Sequence, residues 1–334
     1  PRRCESGNPA TARSTPHRMR ILLIGASGQL GHELNRSLQA LGEIIAPDRA
    51  SLELRDIPAL HSTIRALRPD VVVNAAAFTA VDLAESNAEE AMAVNATAVG
   101  AMADACKERG TLLVHYSTDY VFDGLGGAPY DESALPSPVN VYGRTKLAGD
   151  RALLESGCRH LLLRISWLYS LRRRNFVRAV IAQARAGKSL RVVSDQRSAP
   201  TPAWLVADLS AHLVDRILHG GPDAPTGLLN LSCSGDCTWH DFAQAIFSHL
   251  ALHPDLMRSF GIDAVPTIEP ISSGQYPTAA RRPLDTRLAL DRLLATGLYA
   301  THWRSALDFT LGTLLPPGEA ARAAGAAPPA KAPS

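Results

Sequence analysis

The chain has 334 residues, of which 46% are hydrophobic and 20% charged, and its formal net charge is +2. That length buries a full core in one large domain or two modest ones, and the composition is ordinary for a soluble globular protein. The near-neutral balance and the absence of a long Lys/Arg run give no footing for a nucleic-acid partner, and no apolar run reaches the ~20 residues of a membrane helix.

Five cysteines, Cys4, Cys106, Cys158, Cys233 and Cys237, are too few and too scattered for a disulfide framework. They fit a reduced, cytoplasmic setting. Cys233, Cys237 and His240 lack the fourth ligand and tight spacing of a zinc site, so the two cysteines read as small buried or loop thiols. Residues 1–18 are polar, rich in Arg and Pro, and hold no apolar signal segment; they read as a disordered extension before Met19. Residues 316–334, rich in Ala, Pro and Gly, read as a disordered tail.

Between these ends, short apolar runs alternate with helical patterns. Strands are expected at residues 20–24, 43–46, 71–74, 112–117 and 160–165. Helices are expected at 29–41, 57–67, 88–109 and 141–156. Near-continuous apolar strands alternating with helices predict an α/β fold with a parallel sheet covered on both faces. After Trp167 the alternation loosens. Helices are expected at 175–186, 205–219, 239–252, 286–295 and 302–314, strands at 190–193 and 228–231, with a Pro-punctuated stretch at 254–283. The pattern predicts a main lobe over 19–170 and a smaller lobe, mainly 171–315, with the chain crossing between them more than once.

The first strand runs into Gly25-Ala26-Ser27-Gly28-Gln29-Leu30-Gly31, a G-x-x-G-x-x-G loop at a strand-to-helix turn. Glycines there permit positive φ and close approach to a pyrophosphate, while the amides of the helix N-terminus face the negative charge. Asp48 follows about 20 residues on, where a carboxylate holds an adenosine ribose; Arg49 beside it suits a 2′-phosphate. NADH and NADPH both remain open. Ala75, Ala76 and Ala77, after the third strand, leave room for such a cofactor.

Tyr142 and Lys146 are spaced Y-x-x-x-K, one helical turn apart on a shared face. An adjacent ammonium stabilises a tyrosinate, which would lower the phenol from about 10. Tyr142 is then placed to pass a proton to a carbonyl oxygen. Upstream, Tyr116-Ser117-Thr118-Asp119 ends the fourth strand, where open α/β sheets bind ligands. A hydroxyl at Ser117 or Thr118 there stabilises charge on a substrate oxygen.

These residues resemble the extended short-chain dehydrogenase/reductase superfamily and, within it, the dTDP-4-dehydrorhamnose reductase family. The resemblance covers residues 19–314. It is carried by GASGQLG (25–31), NAAAFTAVDLAE (74–85), HYSTDYVFDG (115–124), NVYGRTKLAG (140–149), DQRSAPT (195–201) and ARRPLDTRL (280–288). It implies a Rossmann-type doubly wound sheet with a smaller C-terminal α/β substrate lobe. The implied activity is NAD(P)H-dependent reduction of a 4-keto sugar nucleotide to dTDP-L-rhamnose, a precursor of bacterial surface polysaccharide such as lipopolysaccharide O-antigen. Carried over position by position, Gly25, Gly28, Gln29, Leu30 and Gly31 belong to the pyrophosphate loop. Asp48, Glu53 and Leu54 meet the adenosine, and Ala77, Phe78 and Thr79 also contact cofactor. Tyr142 is the acid, Lys146 its partner, and Thr118 assists. Thr118, Asp119, Trp167, Asn175, Pro200 and Arg282 form the nucleotide-sugar pocket. The family also implies a monomer or homodimer, in some members with a divalent cation such as Mg2+ held by glutamates; Glu33 matches one such position. The basic run Arg172-Arg173-Arg174 suits an anionic substrate or solvent. Two other readings stand beside this one: a non-catalytic subunit resembling the regulatory partner of methionine adenosyltransferase, and a sugar-nucleotide epimerase.

Overall fold

The computed structural model describes residues 18–221 and 224–315. The expected extension, except for Arg18, and the expected tail lie outside these residues. In the first half the elements are β1 (Arg20–Ile24), α1 (Gln29–Ser37), β2 (Glu43–Ile45), α2 (Ile57–Leu67), β3 (Val71–Asn74) and the short α3 (Val81–Ala84). A long helical run follows: α4 (Ala88–Met92), a π-helical turn (Ala93–Thr97) and α5 (Ala98–Lys107). Then come β4 (Leu112–Thr118), α6 (Val141–Glu155) and β5 (His160–Ile165).

Alternation within β1 explains its unbroken apolar sequence. Ile21 and Leu23 face a core shared with Leu30 and Leu34 of α1. Leu22 and Ile24 face a second core shared with Leu60 and Ile64 of α2 and Met102 of α5. Each such side chain, fully buried, contributes roughly 1.5–3 kcal/mol of hydrophobic stabilisation. The helix α2 starts where Asp56 accepts from the Ala59 amide at 3.0 Å, with Pro58 in the first turn.

The second half contains β6 (Leu168–Tyr169), α7 (Phe176–Arg185), β7 (Leu190–Val193), β8 (Arg197–Ser198), β9 (Thr201–Pro202), α8 (Ala203–His219) and β10 (Gly227–Leu231). It ends with β11 (Cys237–Thr238), α9 (Trp239–Leu252), α10 (Pro254–Ser259), β12 (Ile268–Ile271), α11 (Asp291–Ala295) and α12 (Trp303–Gly312). The main sheet has six strands in the order β10-β5-β4-β3-β1-β2, and every pair is parallel. The chain therefore returns to the sheet after leaving it. β10 pairs with β5 at the edge, and α8 lies beside α1, where Arg36 meets Asp208 at 2.7 Å. The remaining short strands pair outside the main sheet, β7 with β12, β8 with β11 and β6 with β9.

Three expected elements differ, each for a local reason. The helix over 88–109 contains the π-helical turn because Asn95 turns its side chain away to bond the Phe78 backbone. Residues 286–289 are not helical: the Tyr130 amide donates to Arg287 O at 2.8 Å and the Ala289 amide to Tyr130 O at 2.8 Å, so bridging consumes them. Within 254–283, α10 and β12 form, the latter carrying Pro270 as the partner of Val192.

Candidate active site

β2 lies on one side of β1 and β3 on the other, so the strand order reverses there and opens a crevice at the carboxyl ends. A cleft of about 1270 Å³ follows that edge, bordered by the glycine loop, the ends of β3 and β4, and the N-terminal turn of α6.

At the glycine loop, Gly25 adopts φ +85°, and a Cβ there would lie 2.7 Å from the Ala76 amide nitrogen. Gly28 caps α1 without a side chain, leaving the amides of the first turn pointing outward. Gly25, Gly28, Gln29 and Leu30 all border the cleft. Gly31 does not. It lies beneath the loop, and a Cβ on it would be 2.0 Å from Gly25 O, so its missing side chain seats α1 against β1 instead of touching a ligand. Such a cradle, open to bare helix-terminal amides, fits a pyrophosphate.

Toward the distal end lie Asp48, Glu53 and Leu54. The Ser51 amide and hydroxyl donate to the Asp48 carboxylate at 2.8 and 2.6 Å and hold it below its ordinary range. Arg55 and Arg49 pull Glu53 down to about 2 against a smaller desolvation effect. Arg49 is thus ion-paired to Glu53 at 3.0 Å.

Ala77, Phe78 and Thr79 form the wall after β3. Sequence reasoning missed what holds them. The Asn95 side chain accepts from the Phe78 amide at 2.8 Å, donates to Phe78 O at 3.1 Å, and donates to Thr145 of α6 at 3.0 Å. Gly149 of α6 permits this approach, since its Cβ would sit 2.0 Å from Asn95 O.

The chemistry-bearing groups meet between β4 and α6. Asn140 caps α6 by accepting from the Gly143 amide at 2.8 Å, which sets Tyr142 in the first turn and Lys146 one turn on. Thr118, Tyr142 and Lys146 all border the cleft. Burial pushes the Tyr142 phenol up to about 12, while the Thr118 hydroxyl works in the opposite direction. Burial pulls Lys146 down to about 8, opposed by Asp150. Desolvation therefore outweighs the expected lowering of the phenol by Lys146, whose Nζ donates to Tyr116 O at 2.7 Å and lies 3.2 Å from His115 Nε2.

The profile of the RmlD substrate binding domain family matches residues 19–315. A dTDP-4-dehydrorhamnose reductase from Salmonella typhimurium is 44% identical over 279 residues, 82% of this chain and 90% of that protein. The chain belongs to the dTDP-4-dehydrorhamnose reductase family. A solved family member from Clostridium acetobutylicum has a TM-score of 0.80 at 32% identity, covering 89% of this chain and 99% of that one. Another, from Bacillus anthracis in complex with NADP, has a TM-score of 0.78 at 29% identity, covering 88% and 98%.

The residues assigned to the nucleotide-sugar pocket by family resemblance divide in this reductase-family chain. Trp167 borders the cleft with φ +40°, its indole stacked on Trp239 at 3.5 Å between ring centroids and 5° between planes. Trp239 was not foreseen, because it comes from the start of α9, far along the sequence. Asn175 also borders the cleft, capping α7 and donating to Gln29 Oε1 at 2.7 Å, so it braces the glycine loop. Asp119 is buried at the cleft wall and accepts from Thr286 at 2.5 Å, Ser198 at 3.2 Å and Thr118 at 3.2 Å. Its carboxylate ties three segments together. Pro200 and Arg282 do not border the cleft. Pro200 is buried between β8 and β9, and the Arg282 guanidinium is held by Asp82 at 2.8 Å and Ala280 O at 2.9 Å. Arg173 and Arg174 do border it, Arg173 donating to Ser27 O at 2.7 Å. Glu33 is bonded to Arg36 at 3.3 Å, and among the described residues no group of three His, Cys, Asp or Glu side chains is placed to hold a metal.

Proposed function

We propose that this chain reduces the C4 keto group of dTDP-4-dehydro-β-L-rhamnose to give dTDP-L-rhamnose, using NADPH or NADH. The observation that carries this reading is the convergence of Thr118, Tyr142 and Lys146 in the cleft that also contains the glycine cradle. The Bacillus anthracis relative was solved with NADP, which supports a nicotinamide cofactor here. When bound, that cofactor supplies the hydride.

The chain's own residues supply the rest. With its phenol raised to about 12, Tyr142 stays protonated across neutral pH and donates to the C4 oxygen as charge builds there. Thr118, whose oxygen is fixed by the Tyr120 amide, would turn its single O–H from Asp119 to the same oxygen. Lys146 would hold the nicotinamide ribose and cycle between ammonium and amine beside the phenol, its affinity for the proton lowered by burial to about 8. Asp48, Glu53 and Leu54 receive the adenosine end. Asp48 favours an unphosphorylated ribose, whereas Arg49 would have to leave Glu53 to meet a 2′-phosphate. Arg173 and Arg174 offer cationic partners to the diphosphates, and the Trp167–Trp239 pair offers an aromatic wall. The buried free thiols Cys106, Cys158, Cys233 and Cys237 accord with a reducing cytoplasm, where the product would feed surface polysaccharide synthesis.

The test is a cofactor-oxidation assay with the keto sugar nucleotide, run with NADPH and NADH in parallel, followed by identification of the sugar product. Net oxidation with appearance of dTDP-L-rhamnose is expected. Sugar conversion without net oxidation would indicate an epimerase. Tight cofactor binding with no turnover would indicate a binding subunit.

A further inference from the structure

Along the floor of the cleft, three side chains, each about 1% exposed, form a line: Asn74 of β3 and Lys146 of α6, which border it, and His115 of β4 between them. Parallel pairing of β3 with β4 sets Asn74 directly opposite His115. The Ala76 amide donates to Asn74 Oδ1 at 3.1 Å, Asn74 Nδ2 lies 3.1 Å from His115 Nδ1, and His115 Nε2 lies 3.2 Å from Lys146 Nζ.

Donors and acceptors must alternate along this line. A backbone amide only donates, so Asn74 turns its oxygen to Ala76 and its NH2 to the imidazole. His115 Nδ1 therefore accepts, and the proton of the neutral ring sits on Nε2. An Nε2–H facing Lys146 needs a lone pair on Nζ, which an amine has and an ammonium lacks. The opposite tautomer would accept from an ammonium, but it requires Asn74 to turn its NH2 against the Ala76 N–H. Burial of the imidazole holds His115 well below its usual range, and an ammonium on Lys146 would lower it further, so the ring stays neutral in either state of the lysine.

Resting on the role given to Lys146 above, we propose that Asn74 and His115 are positioning residues: Asn74 fixes the imidazole tautomer, and His115 presents Nε2–H to Lys146 so that the neutral amine is stabilised. The neutral amine is what Lys146 becomes when an N–H bond breaks and its proton restores the phenol of a Tyr142 phenolate. A solvent proton entering by the cleft then regenerates the ammonium. The other charged groups around Lys146 are Asp150 on its own helix, paired with Arg164 of β5 at 3.5 Å, and Asp119, which acts on Tyr142. Asp150 favours the ammonium, so the histidine and burial oppose it.

Two NMR measurements on the free protein test this. First, with 15N-labelled histidine and at a pH above the Lys146 midpoint, the His115 ring, identified by its loss in His115→Phe, is expected as the Nε2–H tautomer. An Nδ1–H ring would overturn the idea and needs no folded variant to show it. Second, the chain has only four lysines, so 13Cε labelling allows Lys146 to be titrated directly. His115→Gln adds no charge and can turn an amide oxygen toward Nζ. Its Lys146 midpoint is expected to rise by about one pH unit or more, a tenfold change in proton affinity. An unchanged or lower midpoint in the folded variant would overturn the idea. The basic limb of the kcat/KM profile should move with it. Neither NMR result depends on the sugar, so failure of the proposed reaction would be seen separately.

Discussion

Asn95 offers the sharpest test of how the cleft is held. Its side chain joins the Phe78 backbone to Thr145 through three hydrogen bonds of 2.8, 3.1 and 3.0 Å, and it is 1% exposed. Asn95→Ala removes all three. At about 1 kcal/mol per hydrogen bond, the loss is about 3 kcal/mol, offset in part because Thr145 keeps its bond to Tyr142 O. In a protein of this size that corresponds to a fall in Tm of roughly 3–5 °C. Phe78 borders the cleft, so its release also loosens the cofactor wall. Affinity for NADPH should fall about tenfold, the equivalent of 1.4 kcal/mol. Thr145→Val removes two hydrogen bonds, the one from Asn95 and its own to Tyr142 O, and should fall between the wild type and Asn95→Ala in a thermal melt. Calorimetry and a fluorescence titration of cofactor measure both quantities. An Asn95→Ala protein that melts and binds like the wild type would refute the clamp.

Other outcomes follow from the same geometry. Tyr142→Phe should lower kcat by about 10²–10⁴ while cofactor affinity is unchanged, whereas Lys146→Ala should weaken both; steady-state kinetics and a binding titration separate them. Gly31→Ala places a methyl 2.0 Å from Gly25 O and should cost about 1–3 kcal/mol of stability, read as a lowered Tm, together with weaker cofactor binding as the loop shifts. Burial pushes the Asp119 carboxyl up to about 6, against its hydroxyl partners. A folded value above the unfolded one near 4 means that this group's contribution is full below about pH 4 and lost as pH rises through 6. The loss is at most about 3 kcal/mol. Melting temperatures from pH 4 to 7 should fall more steeply in the wild type than in Asp119→Asn, and parallel curves would contradict this.

Much of this site is legible in the sequence where its cause is local. The apolar run of β1 followed by Gly25 marks the cradle, because strand, turn and helix are consecutive. Tyr142 and Lys146 share a face by helical spacing alone. What sequence does not show depends on register or on distant partners. The π-helical turn hides in an Ala-rich run whose periodicity resembles an ordinary helix, and only Phe78, brought alongside, explains it. The Asn74–His115 contact depends on the pairing of β3 with β4, although a polar residue ending one apolar strand and interrupting another was a usable signal. Arg282 looks available for a diphosphate until Asp82, on α3, is seen to hold it. Gly31 reads like its two companions in the loop, but the packing of α1 on β1 separates its task from theirs.

The placement of β10 at the sheet's rim has a consequence for biogenesis. β5 leaves the ribosome well before the strand that covers it, with α7, α8 and several short strands translated in between. During that interval a row of peptide groups on β5 stays unpaired, flanked by Leu161, Leu162 and Leu163, a segment suited to annealing with another nascent chain. Chains that stall or are truncated before residue 227 should therefore be the aggregating species in the cell, and the holding of nascent chains by chaperones should matter most over that window.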